Sequence, residues 1–160
     1  MATPAIGDKA PDFELTLDSG DRFRLSRHKG TPVVLYFYPE DGTEGCTIEN
    51  QEFSAEADEF RRLGVTVVGI SPDSVENHCK FRDKYRLGIP LAADPDLKAA
   101  KAYGLWQLKK LYGREYMGIV RTSFLVDGKG RIAGAWPVRR IKGHAGTVLA
   151  AARALVGKLA

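Results

Sequence analysis

Cys46 and Cys79, 33 positions apart, are the only thiols among 160 residues. The first follows the apolar and aromatic run Pro32 to Tyr38, PVVLYFY, which reads as a buried strand. After it, Phe53, Ala57, Phe60 and Leu63 recur at helical spacing. Stepping back seven residues from Phe53 reaches Cys46, so the thiol falls in the first turn of a helix and on its inward side. Unpaired N–H groups and the positive end of the macrodipole at such a terminus favour thiolate, the nucleophilic form of sulfur. Thr43 presents a hydroxyl three residues earlier, and Gly45 allows close backbone approach. The position offers nucleophilic or redox chemistry; it would equally suit a small buried hydrophobe.

Other chemistries find less support. Two cysteines so far apart, with no Cys-x-x-Cys, build neither a disulfide framework nor a four-thiolate zinc site. His28 lies in a charged stretch, His78 on a helix face and His144 beside Gly143 and Gly146 at a helix start, all without a hydrolase context. A structural or solvated role is expected for each. The net charge of +4 is scattered over RLSRHKG, LKK and PVRRIK, without the interleaved aromatics of a nucleic-acid surface. No glycine pattern for a dinucleotide is present. No apolar run nears the ~20 residues that cross a bilayer, and the opening MATPAIGDKAPDFEL lacks the look of a signal peptide. A cytoplasmic protein without nucleic-acid or membrane partners is expected.

Composition and length fit one globular domain over 1–160, without repeats or linkers. DFELTLDSGDRFRLS reads as a hairpin with Phe13, Leu15 and Leu17 on one face. VTVVGIS, Val65 to Ser71, is a second buried strand, and RTSFLVDGKGRIAGAW reads as two strands joined through DGKG. Helices are expected at about 45–63, 74–86, 96–103 and 144–157. LKKLYG and GREYMG, between Leu105 and Gly118, read as a surface loop whose Trp106, Tyr112, Tyr116 and Met117 line an apolar approach or only cover the core. Alternation of strands and helices indicates an α/β domain with a central mixed sheet, compatible with a thioredoxin-like fold. In such sheets chemistry gathers at the carboxyl ends of the parallel strands, where Cys46 lies.

Pro39, Thr43 and Cys46 form a Pro-x-x-x-Thr-x-x-Cys pattern, and LYFYPEDGTEGCTIENQEF closely resembles the peroxiredoxin Q, or bacterioferritin comigratory protein, group of peroxiredoxins. The resemblance extends through GDKAPDFEL, GISPDSVENHCKF, GIVRTSFLVD and GHAGTVLAA. It implies a thioredoxin-like fold and reduction of hydrogen peroxide and organic hydroperoxides by Cys46 as peroxidatic thiolate, without metal or haem. Thr43 would hold the peroxide, Pro39 would shield the sulfur, and Gly45 with Cys46 would supply backbone donors. Arg121, opening RTSFLV, matches the family arginine that steadies charge on sulfur and peroxide oxygen. Glu49 matches a glutamate that orients this arginine, or is a first-turn acid favoured by the helix dipole.

Many members of this group carry a resolving cysteine five positions after the peroxidatic one, where this chain has Gln51. Others place it on the next helix, at the position of Arg82. The resolving role therefore falls to Cys79, one turn earlier on that helix, or to an outside thiol in a one-cysteine cycle. A Cys46–Cys79 disulfide would need the first turn near Cys46 to unwind, because bridged Cα atoms lie within about 7 Å. Thioredoxin is the implied reductant, and the group implies a monomer or weak dimer. A redox sensor or chaperone-like module is the non-enzymatic alternative. Glu44 stands where members often have proline, placing a carboxylate beside the thiol.

Overall fold

The computed structural model describes residues 2–159. A seven-stranded sheet runs in the order β2-β1-β5-β4-β3-β8-β9. Its strands are β1 Glu14–Leu17, β2 Arg22–Arg24, β3 Val33–Phe37, β4 Thr66–Ser71, β5 Leu91–Ala93, β8 Thr122–Val126 and β9 Ile132–Pro137. Strands β3, β4 and β5 are parallel, and the remaining pairings are antiparallel. The expected hairpins are formed by β1–β2 and β8–β9, and the first adds to the same sheet through β5.

Alternation along β3 explains the two layers around this sheet. Val33, Leu35 and Phe37 face a core shared with α4 (Lys98–Ala102) and Phe13, Leu15 and Phe23 of the first hairpin. Val34, Tyr36 and Tyr38 face Cys46 and the apolar sides of α1 (Glu44–Ala55), α2 (Ala57–Arg62), α3 (Val75–Tyr85) and α5 (His144–Leu159). Every residue of β3 is buried, as its uninterrupted apolar run requires when both faces are covered.

Two expectations need correction. The single helix over 45–63 is two helices, because the ladder tightens at Glu56. Its amide bonds Phe53 O at 3.1 Å and Glu52 O at 3.3 Å, with φ −94° and ψ 3°. The segment read as a surface loop is a β-ribbon of β6 (Trp106–Leu111) and β7 (Arg114–Ile119). Tyr112 and Gly113 close it with φ of +50° and +75°, a turn in which both central residues are left-handed. Trp106 packs on the core, whereas Leu108, Leu111, Tyr112, Tyr116 and Met117 are exposed.

Candidate active site

Strand β3 ends at Phe37 and the chain turns through Tyr38–Thr43 into α1, so Cys46 sits in the first turn of α1 above the carboxyl end of β3. Its side chain lies inward with Tyr36, Tyr38 and Phe53, and the residue is 1% exposed. Thr43 is the N-cap by backbone position, but its hydroxyl donates to Glu40 O at 3.1 Å instead of capping the helix. The hydroxyl oxygen retains lone pairs that can accept from a peroxide O–H. Pro39 is half-buried at the start of the loop.

Arg121, between β7 and β8, reaches back over α1. One guanidinium nitrogen, Nη2, lies 3.2 Å from Cys46 Sγ, and the other, Nη1, donates to Glu49 Oε1 at 2.7 Å. The side chain is 17% exposed, so its fixed charge acts on sulfur with little water between them. A side chain at Gly45 would crowd the site: a Cβ would stand 2.9 Å from the Ile141 Cδ1 methyl, which would have to swing aside, and 3.5 Å from Arg121 Nη2.

Glu49 is 1% exposed, and its Oε2 has no hydrogen-bond partner among the described residues. Burial pushes its carboxyl up to about 7 against the pull of Arg121. Arg121 is shifted upward as well: burial opposes this, but Glu49 and Cys46 together outweigh it. Desolvation thus dominates at the carboxylate and ion-pair attraction at the guanidinium. Lys109, half-buried on the ribbon, is a further cation at the site. Its stem passes over Gly118, and its ammonium is pulled below the ordinary lysine range by burial and by Arg121, with Cys46 acting oppositely. Nothing in LKK distinguishes it in the sequence; only the ribbon's register brings it here. Glu44 and Gln51 are both exposed, so solvent screens the Glu44 carboxylate.

Cys79 lies elsewhere on the same face of the sheet. Its Sγ donates to Asp18 O at 3.1 Å, beside β1 and β5, while the next turn of α3 sends Arg82 Nη1 to Asp18 Oδ2 at 2.6 Å. Three strand spacings separate this position from Cys46 above β3 and β8, ~14 Å at ~4.8 Å each. Both cysteines are free.

The histidines have structural partners. His28 stacks on Phe23 at 4.8 Å, and His144 Nε2 lies 2.8 Å from Ser123 Oγ. His78 is fully buried, with Nε2 3.1 Å from Ala92 O and Nδ1 2.6 Å from Asp41 Oδ2. A carbonyl can only accept, so Nε2 carries a proton, and the contact with Asp41 requires a second one on either partner. Tyr38 Oη donates to Asp41 Oδ1 at 2.6 Å, and the Asp41 amide donates to Asp73 Oδ2 at 2.8 Å. Asp41, Asp73 and His78 have the donor types of a cation site, but these hydrogen bonds already occupy them. The network ties the loop before Cys46 to the helix that carries Cys79.

The AhpC/TSA family model matches residues 6–135. Peroxiredoxin Bcp of Bacillus subtilis is 45% identical over 147 residues, covering 92% of this chain and 94% of that protein. Among solved structures, PrxQ of Xylella fastidiosa superposes with a TM-score of 0.88 at 34% identity, covering 94% of this chain and 96% of the other. The Xanthomonas campestris bacterioferritin comigratory protein, described for its alkyl peroxide reduction activity, does so with a TM-score of 0.87 at 35% identity, covering 98% and 99%. The mixed sheet flanked by helices is the thioredoxin-like architecture of these structures.

Proposed function

We propose a cycle for this chain, which belongs to the AhpC/TSA family and, within it, to the peroxiredoxin Q/Bcp group of thiol peroxidases. Its substrates are hydroperoxides and its reductant is thioredoxin-like, as the family implies. Cys46 thiolate attacks the terminal oxygen of the hydroperoxide; the S–O bond forms as O–O breaks, leaving a sulfenic acid, and the departing oxygen takes up a proton as water or alcohol. The observation that carries this assignment is the 3.2 Å contact between Arg121 Nη2 and Cys46 Sγ. A fixed cation there steadies the thiolate before attack and the oxygen charge during it. Thr43 accepts from the peroxide O–H, Pro39 and Gly45 shape the entrance, and Glu49 holds Arg121 in place. The substrates extend to organic hydroperoxides, the reading drawn from the relative named for alkyl peroxide reduction.

The sulfenic acid then condenses with Cys79, releasing water, and thioredoxin reduces the disulfide. With about three strand spacings between the two cysteines across the sheet, the first turn of α1 must unwind before the sulfurs meet. A one-cysteine cycle with an outside thiol is the second reading, favoured by the hydrogen bond that holds Cys79 Sγ on Asp18 O. We place the protein in the cytoplasm as a monomer or weak dimer without nucleic-acid or membrane partners. No helix among the described residues is long and apolar enough to cross a membrane.

A peroxidase assay with thioredoxin, comparing the parent with Cys46→Ser and Cys79→Ser, tests the cycle. Cys46→Ser should consume no peroxide; retained turnover would overturn the mechanism. Non-reducing peptide mapping after peroxide should find Cys46 joined to Cys79. Free Cys79 beside a persistent Cys46 sulfenic acid would establish the one-cysteine cycle instead.

A further inference from the structure

Cys46 is almost wholly enclosed, so its sulfenic acid can meet another thiol only when the turn over residues 44–47 opens. Opening breaks the contact with Arg121 and the bonds from Thr47 N and Oγ1 to Thr43 O, whose groups can turn to water. One further bond is different. Asn50 Nδ2 donates to Cys46 O at 2.9 Å, and Asn50 is itself 1% exposed. Tyr36 Oη, from the middle of β3, donates to Asn50 Oδ1 at 2.6 Å. Because the Cys46 carbonyl can only accept, the amide has one workable orientation, and Tyr36 fixes it. The Tyr36 ring is immobile in turn: it stacks on Phe53 at 4.2 Å and fills the space over Gly69, where a Cβ would lie 2.6 Å from Tyr36 Cζ. When the turn opens, Asn50 cannot follow the departing carbonyl or reach water. A buried donor is then left without a partner.

We propose that Asn50, oriented by Tyr36, is a positioning residue that holds the Cys46 turn closed and so divides the sulfenic acid between two fates. Condensation with a thiol gives a disulfide and water and requires the open turn. A second hydroperoxide instead oxidises the sulfenic acid to sulfinic acid, releasing water or alcohol, in the closed pocket. A stronger clamp lengthens the life of the sulfenic acid in that pocket and shifts the division toward sulfinic acid. The inference rests on the peroxidase cycle above, but not on which thiol resolves it.

The test replaces both polar partners by apolar groups of similar size, Tyr36→Phe with Asn50→Leu. Intact-mass measurement gives the peroxide concentration at which half of Cys46 becomes sulfinic acid under turnover, and rapid-quench mapping gives the disulfide rate. Loss of one neutral buried hydrogen bond should raise both by about fivefold. The first oxidation of Cys46 should stay within about threefold of the parent. Tyr36→Phe alone, which leaves Asn50 Oδ1 without its donor, should move the same readouts in the same direction. Both comparisons are repeated in a Cys79→Ser background, with 2-mercaptoethanol capturing the sulfenic acid. Faster capture there supports the clamp even where no Cys46–Cys79 disulfide forms. Unchanged capture and unchanged sulfinic acid yield in both backgrounds overturn it, as does a first oxidation slowed more than about tenfold, which would signal general damage to the pocket.

Discussion

Replacing Glu49 by Gln should make the protein more stable at alkaline pH and hardly change it in mild acid. Burial raises the Glu49 carboxyl from the ordinary 4.5 to about 7. Between these values the folded chain keeps a proton that the unfolded chain has released. Stability is therefore fully present below about pH 4.5 and is lost as pH rises through about 7, the reverse of the usual paired carboxylate. With 1.36 kcal/mol per pKa unit, the stability of Glu49→Gln relative to the parent should grow by about 2 to 3 kcal/mol between pH 5 and pH 8.5. The two proteins should lie within about 1 kcal/mol of each other at pH 5, where folded, protonated Glu49 and Gln have similar shape and charge. Urea unfolding at the two pH values reads this directly, with both proteins carrying Cys46→Ser so that thiol ionisation does not enter. A stability difference independent of pH would refute the reasoning, because it would mean that Arg121 compensates fully for the burial of Glu49. With Cys46 present, Glu49→Gln should react more slowly with peroxide, because the 2.7 Å ion pair that orients Arg121 is weakened.

Arg121→Lys keeps the charge, but one ammonium cannot serve Cys46 Sγ and Glu49 Oε1 through two separate nitrogens; stopped-flow oxidation of Cys46 should slow by about 10- to 100-fold. A loss below threefold would show that charge alone suffices. Lys109→Met should slow the same step a few-fold at low ionic strength and leave it unchanged in ~1 M salt, where the screening length is ~3 Å. A salt-independent loss would point to packing. Asp41→Ala removes the partner of buried His78 and should lower stability in urea by about 3 kcal/mol, whereas Asp41→Asn, which can still donate to Nδ1, should lose less. Equal losses would show that only the volume of the side chain matters.

What the sequence revealed follows the strength of its local signals. Strand β3 is an uninterrupted apolar run and β4 is centred on the apolar stretch from Val67 to Ile70, and α1 carries both an inward stripe and its nucleophile in the first turn. Arg121 lies 75 residues from Cys46 along the chain, and only the family pattern singled it out. The β6–β7 ribbon was obscured because its apolar residues Leu108, Leu111, Tyr116 and Met117 face solvent and its turn uses Tyr112 where Asn or Asp is usual. A period-two pattern marks a strand only when one face is buried. The links from Asn50 to Tyr36 and from Asp41 to His78 had no local signature. Each joins a residue near Cys46 to one fixed by sheet or helix register, and polar residues of these types are commonly solvated.

The closeness of Tyr36 and Gly69 bears on how such a chain can change over generations. Any sequence that acquires a side chain at position 69 must shrink or displace the ring at 36, since the two would otherwise lie 2.6 Å apart. With the ring goes the hydroxyl that orients Asn50. A substitution made in the middle of β4 for packing would thus be felt at the sulfur. The cohesion of the sheet and the lifetime of the oxidised cysteine are inherited as one trait.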